Sequence, residues 1–232
     1  MPKFFGERIA PDLISLSQED SHHALRVLRL RPGDIIRVSA QGLHFNARLE
    51  VDDQQARARI LNELASNEAR TRITLYQGWP KGDKLDQIVR QTTELGVAAI
   101  VPVLFARCVA RPDQAGKRLE RLNKIAREAA MQSERAIIPP VLAPITAMEL
   151  SARLQRHALA LVLYENERQQ TLASALKGQA DLALVIGPEG GLTAGEVAET
   201  GAQPVTLGPR ILRTETAGIA AIAMALALNR DF

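Results

Sequence analysis

Leu207-Gly208-Pro209-Arg210-Ile211-Leu212-Arg213-Thr214-Glu215-Thr216-Ala217 leads from a short apolar segment into a closing helix, and no charged side chain falls between Ala217 and Leu228. Upstream, Gly187-Pro188-Glu189-Gly190-Gly191 follows the apolar run 182–186 and leads into another helical stretch. Two backbone-rich loops at the carboxyl ends of neighbouring strands are how an α/β sheet makes a crevice for a nucleotide-like ligand. The C-terminal part of the chain is therefore expected to be α/β, with its site between these loops.

Moving outward, apolar runs at 73–77, 98–104, 158–164, 182–186 and 204–207 alternate with helical patterns. Leu85, Ile88, Val89, Thr92 and Leu95 form one helical stripe, closed by Gly96, and Leu119, Leu122, Ile125, Ala126 and Ala129 form another. Further helices are expected at 147–154, 169–176 and 194–199. Such a βα repeat implies a mostly parallel sheet with helices on both faces. The last helix, lacking charge, is expected to be buried all round, as core or as part of a subunit interface.

Residues 1–70 differ in character. Ser17 and Asp20 have the spacing of a helix start, with Leu25 and Leu28 as its apolar side, and Arg31-Pro32-Gly33-Asp34 is a turn. Leu43, Phe45, Ala47, Leu49 and Val51 alternate with polar neighbours, which marks a half-buried strand, and further strands fall at 35–39 and 56–61. Short strands with tight turns imply a small β-barrel. The expected division is thus a barrel over 1–70 and an α/β domain over 71–232.

Composition sets the limits. The 232 residues are 46% hydrophobic and 24% charged, ordinary for a globular protein, and no apolar run reaches the length of a membrane span. The N-terminus has no signal-like apolar core, so a cytoplasmic protein is expected. One cysteine, Cys108, leaves no internal disulfide and no cysteine-based metal cage, and no metal site is expected. Net charge is only +3, but Arg26, Arg29, Arg31 and Arg37 stand against Asp34 alone. From Arg107 to Arg135 eight basic residues (Arg107, Arg111, Lys117, Arg118, Arg121, Lys124, Arg127, Arg135) face four acids (Asp113, Glu120, Glu128, Glu134). Such clusters suit a phosphate backbone or, equally, a solvated helix face. Aromatics at 3% argue against stacked platforms.

The glycine loop alone fits neither a P-loop nor a dinucleotide fingerprint, and a structural turn and a ligand loop are both open readings of it. Thr193 and Glu196 have capping-box spacing. The Glu189 carboxylate suits a cationic ligand better than a triphosphate. In the second loop, Ile211-Leu212 offers apolar surface to an adenine ring, and Arg213, Thr214, Glu215 and Thr216 crowd polar groups at the helix start.

These loops resemble those of the SPOUT superfamily, methyltransferases with a deep C-terminal trefoil knot. More narrowly, the chain resembles the RsmE family, which methylates N3 of a uridine in small-subunit ribosomal RNA. The resemblance rests on His22-His23-x-x-x-Arg26-Val27-Leu28-Arg29, Arg31-Pro32-Gly33-Asp34, Lys81-Gly82-Asp83-Lys84 and Thr93-Glu94-Leu95-Gly96-Val97. It continues through Glu128-Ala129-x-x-Gln132-Ser133-x-Arg135 and both loops. Met131, where the family often has an acid, and Cys108, in place of a small hydroxyl residue, depart from it.

The resemblance implies a PUA-like N-terminal barrel, a knotted SPOUT domain that binds S-adenosylmethionine, a homodimer through that domain, and 16S ribosomal RNA, within the small ribosomal subunit, as substrate. It places the cofactor against Leu163, Tyr164 and Glu165, against Ile186, Gly187, Pro188, Glu189, Gly190 and Gly191, and against Leu207, Gly208, Ile211, Leu212, Thr216 and Ala217. Uracil N3–H is mildly acidic, so alignment, proton removal and a cation near the developing anion suffice. Arg213 is the expected cation, with Glu215 and Glu189 as base or sulfonium neighbour. Arg8, His22, Arg26, Arg29 and Lys81 are the expected RNA contacts. Two alternatives stay open: a knotted ribose 2′-O-methyltransferase, and a non-catalytic RNA-binding module.

Overall fold

The computed structural model describes residues 1–109 and 115–231. Arg111 and Asp113, counted in the basic stretch above, lie outside the described residues. The chain forms two compact units: 1–68 with 130–138, and 69–129 with 139–232.

The first unit is a closed five-stranded barrel, β1 (Lys3–Ala10), β2 (Leu13–Leu16), β3 (Ile35–Ala40), β4 (Leu43–Asp52) and β5 (Gln55–Leu64), in the order β1-β2-β5-β4-β3. β1 runs parallel to β3 and closes it. Phe4, Ile14, Ile36, Val38, Phe45, Ala47 and Leu49 fill the interior, so the alternation of β4 points where its periodicity implies. At the two ends it does not: Leu43 and Val51 are exposed, and His44 is buried. His44 is held by Ser39 Oγ at 2.9 Å and Asn67 Oδ1 at 2.8 Å, and burial pushes its pKa down.

Between β2 and β3, Ser17 caps α1 (Gln18–His22), accepting from Asp20 N at 3.0 Å. The chain then widens into a π-turn, His23–Val27, and Arg29 takes a left-handed conformation at φ 56°. The bulge turns Leu28, expected on the apolar side, out to solvent, where it is 42% exposed.

The second unit is a six-stranded parallel sheet of β6 (Arg72–Gly78), β7 (Ala99–Leu104), β8 (Ile145–Thr146), β9 (Leu159–Leu163), β10 (Asp181–Ile186) and β11 (Gln203–Val205), in the order β11-β9-β10-β6-β7-β8. The chain steps outward from β6 to β8, returns two places away as β9, and fills the gap with β10. The helices are α2 (Lys84–Glu94), α3 (Ala115–Gln132, whose last three residues belong to the first unit), α4 (Ala147–Leu154), α5 (Leu172–Ala175), α6 (Ala194–Thr200) and α7 (Thr214–Leu228). α5 is shorter than its pattern implied, because Glu167 takes the N–H groups of Gln169 and Gln170 into a turn, at 2.7 and 2.9 Å.

α7 differs from expectation in two ways. It begins at Thr214, so Thr214, Glu215 and Thr216 are helical rather than loop. Nor is it buried all round: Gly218, Ala221, Ile222 and Ala225 face inward, while Thr216, Met224, Ala227 and Leu228 form an exposed stripe. Among the described residues, no helix is long and apolar enough to cross a membrane.

Candidate active site

The carboxyl ends of β9, β10 and β11 open on a cavity of about 490 Å³, a size usual for small-ligand sites. Leu163, Tyr164 and Glu165 leave β9 along one wall. Tyr164 N donates to Val205 O at 3.1 Å, which holds β9 and β11 together beyond the sheet. Ile186 to Gly191 make the second wall. There Gly191 N donates to Pro188 O at 2.9 Å, and Gly191 sits at φ 69°, so the turn needs glycine. Beyond it, Thr193 and Glu196 form a complete capping box, and Glu196 Oε1 accepts Ala106 N at 2.8 Å.

Leu207, Gly208, Ile211 and Leu212 make the third wall. Ile211 is 79% exposed at its lip, an apolar face for a flat ring. Thr206 Oγ1 donates to Gly208 O at 3.1 Å and shapes the turn.

The charges are unevenly placed. Lys84 Nζ lies 2.9 Å from Glu189 Oε1 and 3.5 Å from Glu215 Oε2. Its hydrogen bond to Glu189 raises the lysine pKa. Burial alone would push Glu189 up, but hydrogen bonds from Lys84 and the Lys81 N–H prevail and hold it below the usual carboxylate range. The trio carries one net negative charge beside the cavity. Arg168, Arg210 and Arg213 line the cavity as well, and all three are exposed. Among the described residues, no group of three His, Cys, Asp or Glu is placed to hold a metal ion.

This geometry has close counterparts. The RNA methyltransferase domain family matches residues 67–226, and the RNA methyltransferase PUA domain family matches 16–61. The ribosomal RNA small subunit methyltransferase E of Bacillus subtilis is 38% identical over 224 residues, covering 90% of this chain and 88% of that protein. The chain belongs to the ribosomal RNA small subunit methyltransferase E family. A crystal structure of the Neisseria gonorrhoeae methyltransferase E bound to S-adenosyl methionine superposes with a TM-score of 0.87, at 37% identity over 98% of both chains. A putative methyltransferase of Legionella pneumophila in complex with S-adenosyl methionine gives 0.84, at 30% identity over 97% of this chain and 96% of that one. The PUA-type barrel and the parallel-sheet methyltransferase domain are thus both found as expected.

In this chain, every expected cofactor residue but one lines the cavity. The exception is Thr216, which faces outward from the first turn of α7. Arg213 and Glu189 line it too, whereas Glu215 touches it through Lys84. Lys84, Arg168, Val205, Thr206, Arg210 and Thr214 line it without having been singled out. Lys84 belongs to the quoted Lys-Gly-Asp-Lys stretch, and its spacing offered a signal. Thr214 had none, because it was read as loop.

The expected RNA residues are dispersed. His22, Arg26 and Arg29 are exposed around the π-turn. Arg8 is half-buried, bonded to Pro11 O and 5.6 Å from the centre of the Phe45 ring. Lys81 is exposed beside Glu189 in the other unit. Much of the basic stretch 107–135 is absorbed internally. Arg118 and Arg121 pair with Asp83 and buried Asp86, Arg135 with Glu68, and Arg107 donates to Gly190 O at 3.1 Å.

Proposed function

We propose that this protein methylates N3 of a uridine in 16S ribosomal RNA, in the cytoplasm and within the small ribosomal subunit, using S-adenosylmethionine. The observation that carries the reading is the cavity itself. Apolar Leu163, Ile186, Ile211 and Leu212 offer surface to an adenine, and the Glu189 carboxylate, held by Lys84, offers a neighbour to a sulfonium. The donor set therefore fits S-adenosyl methionine, which the related Neisseria and Legionella structures hold.

S-adenosylmethionine, when bound, supplies a methyl group already activated on sulfur. The protein's part is to align and to manage charge. The backbone of 163–165, 186–191 and 207–212 holds the cofactor. Arg213, whose exposed guanidinium makes no hydrogen bond or ion pair to another described residue, stabilises the uracil anion at O2 or O4. Glu215, or water beside it, takes the N3 proton, and Glu189 braces the site. Arg8, His22, Arg26 and Arg29 of the barrel, with Lys81, bind RNA phosphates. The exposed apolar stripe of α7 supports a homodimer formed through this domain. A knotted C-terminus belongs to the same reading, by the family resemblance of the two loops.

Incubation with small subunits or 16S RNA and cofactor, followed by digestion to nucleosides and mass spectrometry, tests the reading. The expected product is 3-methyluridine. A ribose 2′-O-methyl nucleoside, or no transfer despite cofactor binding, overturns it.

A further inference from the structure

Gln77 has no surface exposed, yet it sits at the carboxyl end of the central strand β6, directly beneath the site. Its Nε2 donates to Thr214 Oγ1 at 2.8 Å and to Gly78 O at 3.2 Å. Thr214 Oγ1 in turn donates to Gly187 O at 2.7 Å. The chain of donors has one direction, since the Gly78 and Gly187 carbonyls accept at either end. Gln77 Oε1 has no partner among the described residues and lies against the backbone of α7, where a Cβ on Gly218 would come within 3.2 Å of it.

A buried amide oxygen left unpaired costs stability. A leucine or methionine of similar size would fill the same space without that cost. The neighbouring residue shows how closely this strand end is fitted to the glycine loop: a Cβ on Gly78 would lie 2.5 Å from Pro188 N and 2.7 Å from Gly187 C. β6 thus meets the loop twice, once by direct backbone packing and once through the Gln77–Thr214 hydrogen bonds.

We infer that Gln77 is a positioning residue: through Thr214 it locks the first turn of α7, which carries Arg213 and Glu215, to the Gly187 wall of the cofactor site. The inference rests on the methyltransferase reading of that site and goes beyond it, because it assigns a task to a buried glutamine outside the cavity lining and to the threonine through which it reaches that lining. The lock sets the register between the cofactor wall and the groups that face the uracil. Without it each half of the site persists, but the two are no longer held in line, and misplacement on that scale is costly to a transfer that depends on alignment.

The test uses the full-length protein with four variants: Gln77→Met, Thr214→Val, Thr214→Ser and the Met/Val double variant. Three measurements are made: S-adenosylmethionine affinity by calorimetry, single-turnover transfer at saturating cofactor and RNA, and backbone hydrogen exchange of 187–191 and 214–217 without cofactor. Gln77→Met and Thr214→Val are each expected to slow transfer by about a hundredfold while weakening cofactor binding less than about tenfold. Both segments exchange faster in these variants. Thr214→Ser keeps the hydroxyl and restores rate and protection to within about threefold, and the double variant is no worse than either single. Transfer unchanged in Gln77→Met, Thr214→Ser as slow as Thr214→Val, or losses that multiply in the double variant would each overturn the inference. Should Gln77→Met not fold, the Thr214 pair decides alone. Failure of the parent protein to bind the cofactor would count instead against the methyltransferase reading.

Discussion

Glu189 Oε1 lies 2.9 Å from Lys84 Nζ and 3.1 Å from Lys81 N, so one carboxylate oxygen joins the turn before α2 to the glycine wall. An amide oxygen can accept the same two bonds. Glu189→Gln is therefore expected to bind cofactor within about threefold of the parent, and Glu189→Ala about tenfold more weakly. If Glu189 instead takes the proton, the glutamine variant loses single-turnover rate as fully as alanine does. Its depressed pKa adds a sign. The tether is complete above the ordinary carboxylate value of 4.5 and is lost only as pH falls below it towards the folded value. Titration of Glu189 should leave cofactor affinity flat between pH 6 and 8, which calorimetry across that range checks.

Gly78 supplies a second prediction. The atoms that its missing Cβ would strike are backbone, at 2.5 and 2.7 Å, and cannot rotate away. Gly78→Ala should displace 187–188 and weaken cofactor binding by about tenfold or more. Gly82→Ala meets no atom within 4 Å and suffers only its left-handed backbone, so it should lower the melting temperature slightly and leave affinity alone.

A third concerns pH and the barrel. Lys3 is buried against Arg135 O, and burial lowers its pKa to about 8, against opposing attraction from Glu134 and Glu68. A lysine whose folded pKa is depressed favours the folded state only when neutral. Its contribution is absent below pH 8 and grows as pH rises towards 10.5, the unfolded value. Relative to Lys3→Met, the parent should gain on the order of 1 kcal/mol of stability across that window. Urea unfolding at pH 7.5 and 10 measures it, and parallel pH profiles for the two proteins would refute it.

Charge on the surface separates into two populations. Arg26 and Arg29 are exposed at the π-turn, whereas Arg118 holds buried Asp86 at 3.0 Å. Arg26→Ala and Arg29→Ala should each reduce the slope of log K against log salt for RNA binding by about one. Neither should alter cofactor affinity. Arg118→Ala should leave the slope unchanged and lower the melting temperature, since it leaves a buried carboxylate less compensated. Filter binding at several salt concentrations distinguishes the two groups.

These contrasts show where the sequence is legible. The sheet was readable because each strand is a continuous apolar run and each helix a clear stripe, and the loops because glycine and proline leave few alternatives. The start of α7 was read one turn late: Thr214-Glu215-Thr216 is polar enough for loop, yet it forms the first turn after the Arg213 cap, with Thr214 bonded to Gln77 on β6. Leu28 was assigned inward because a regular helix would put it there, whereas the π-turn adds a residue and rotates it out. Charge patterning left its reading open for a physical reason. A run of arginines looks the same whether it meets phosphate or, as at Arg118 and Arg121, carboxylates distant in sequence.

Arg213 gives the sharpest division between binding and chemistry. It is the N-cap of α7, and its carbonyl accepts from Thr216 N and Ala217 N at 2.9 and 2.8 Å. Those bonds belong to the backbone and survive any side-chain change. The guanidinium itself lines the cavity, exposed, with no hydrogen bond or ion pair to another described residue. Removing it should therefore cost the fold little. Its proposed partner is the charge that appears on uracil only as N3 loses its proton, so its effect falls on the transition state more than on either bound reactant. Arg213→Ala should lower single-turnover transfer by about a hundredfold, in line with losing one preorganised charge donor, while cofactor affinity stays within about threefold. Arg213→Lys keeps the charge but not the planar fork and should recover part of the rate. Raising pH eases deprotonation of N3 without the cation's help, so the defect of the alanine variant should shrink as pH rises from 7 to 9. A defect that is constant across that range, or equal losses in rate and in cofactor affinity, would make Arg213 a binding residue instead.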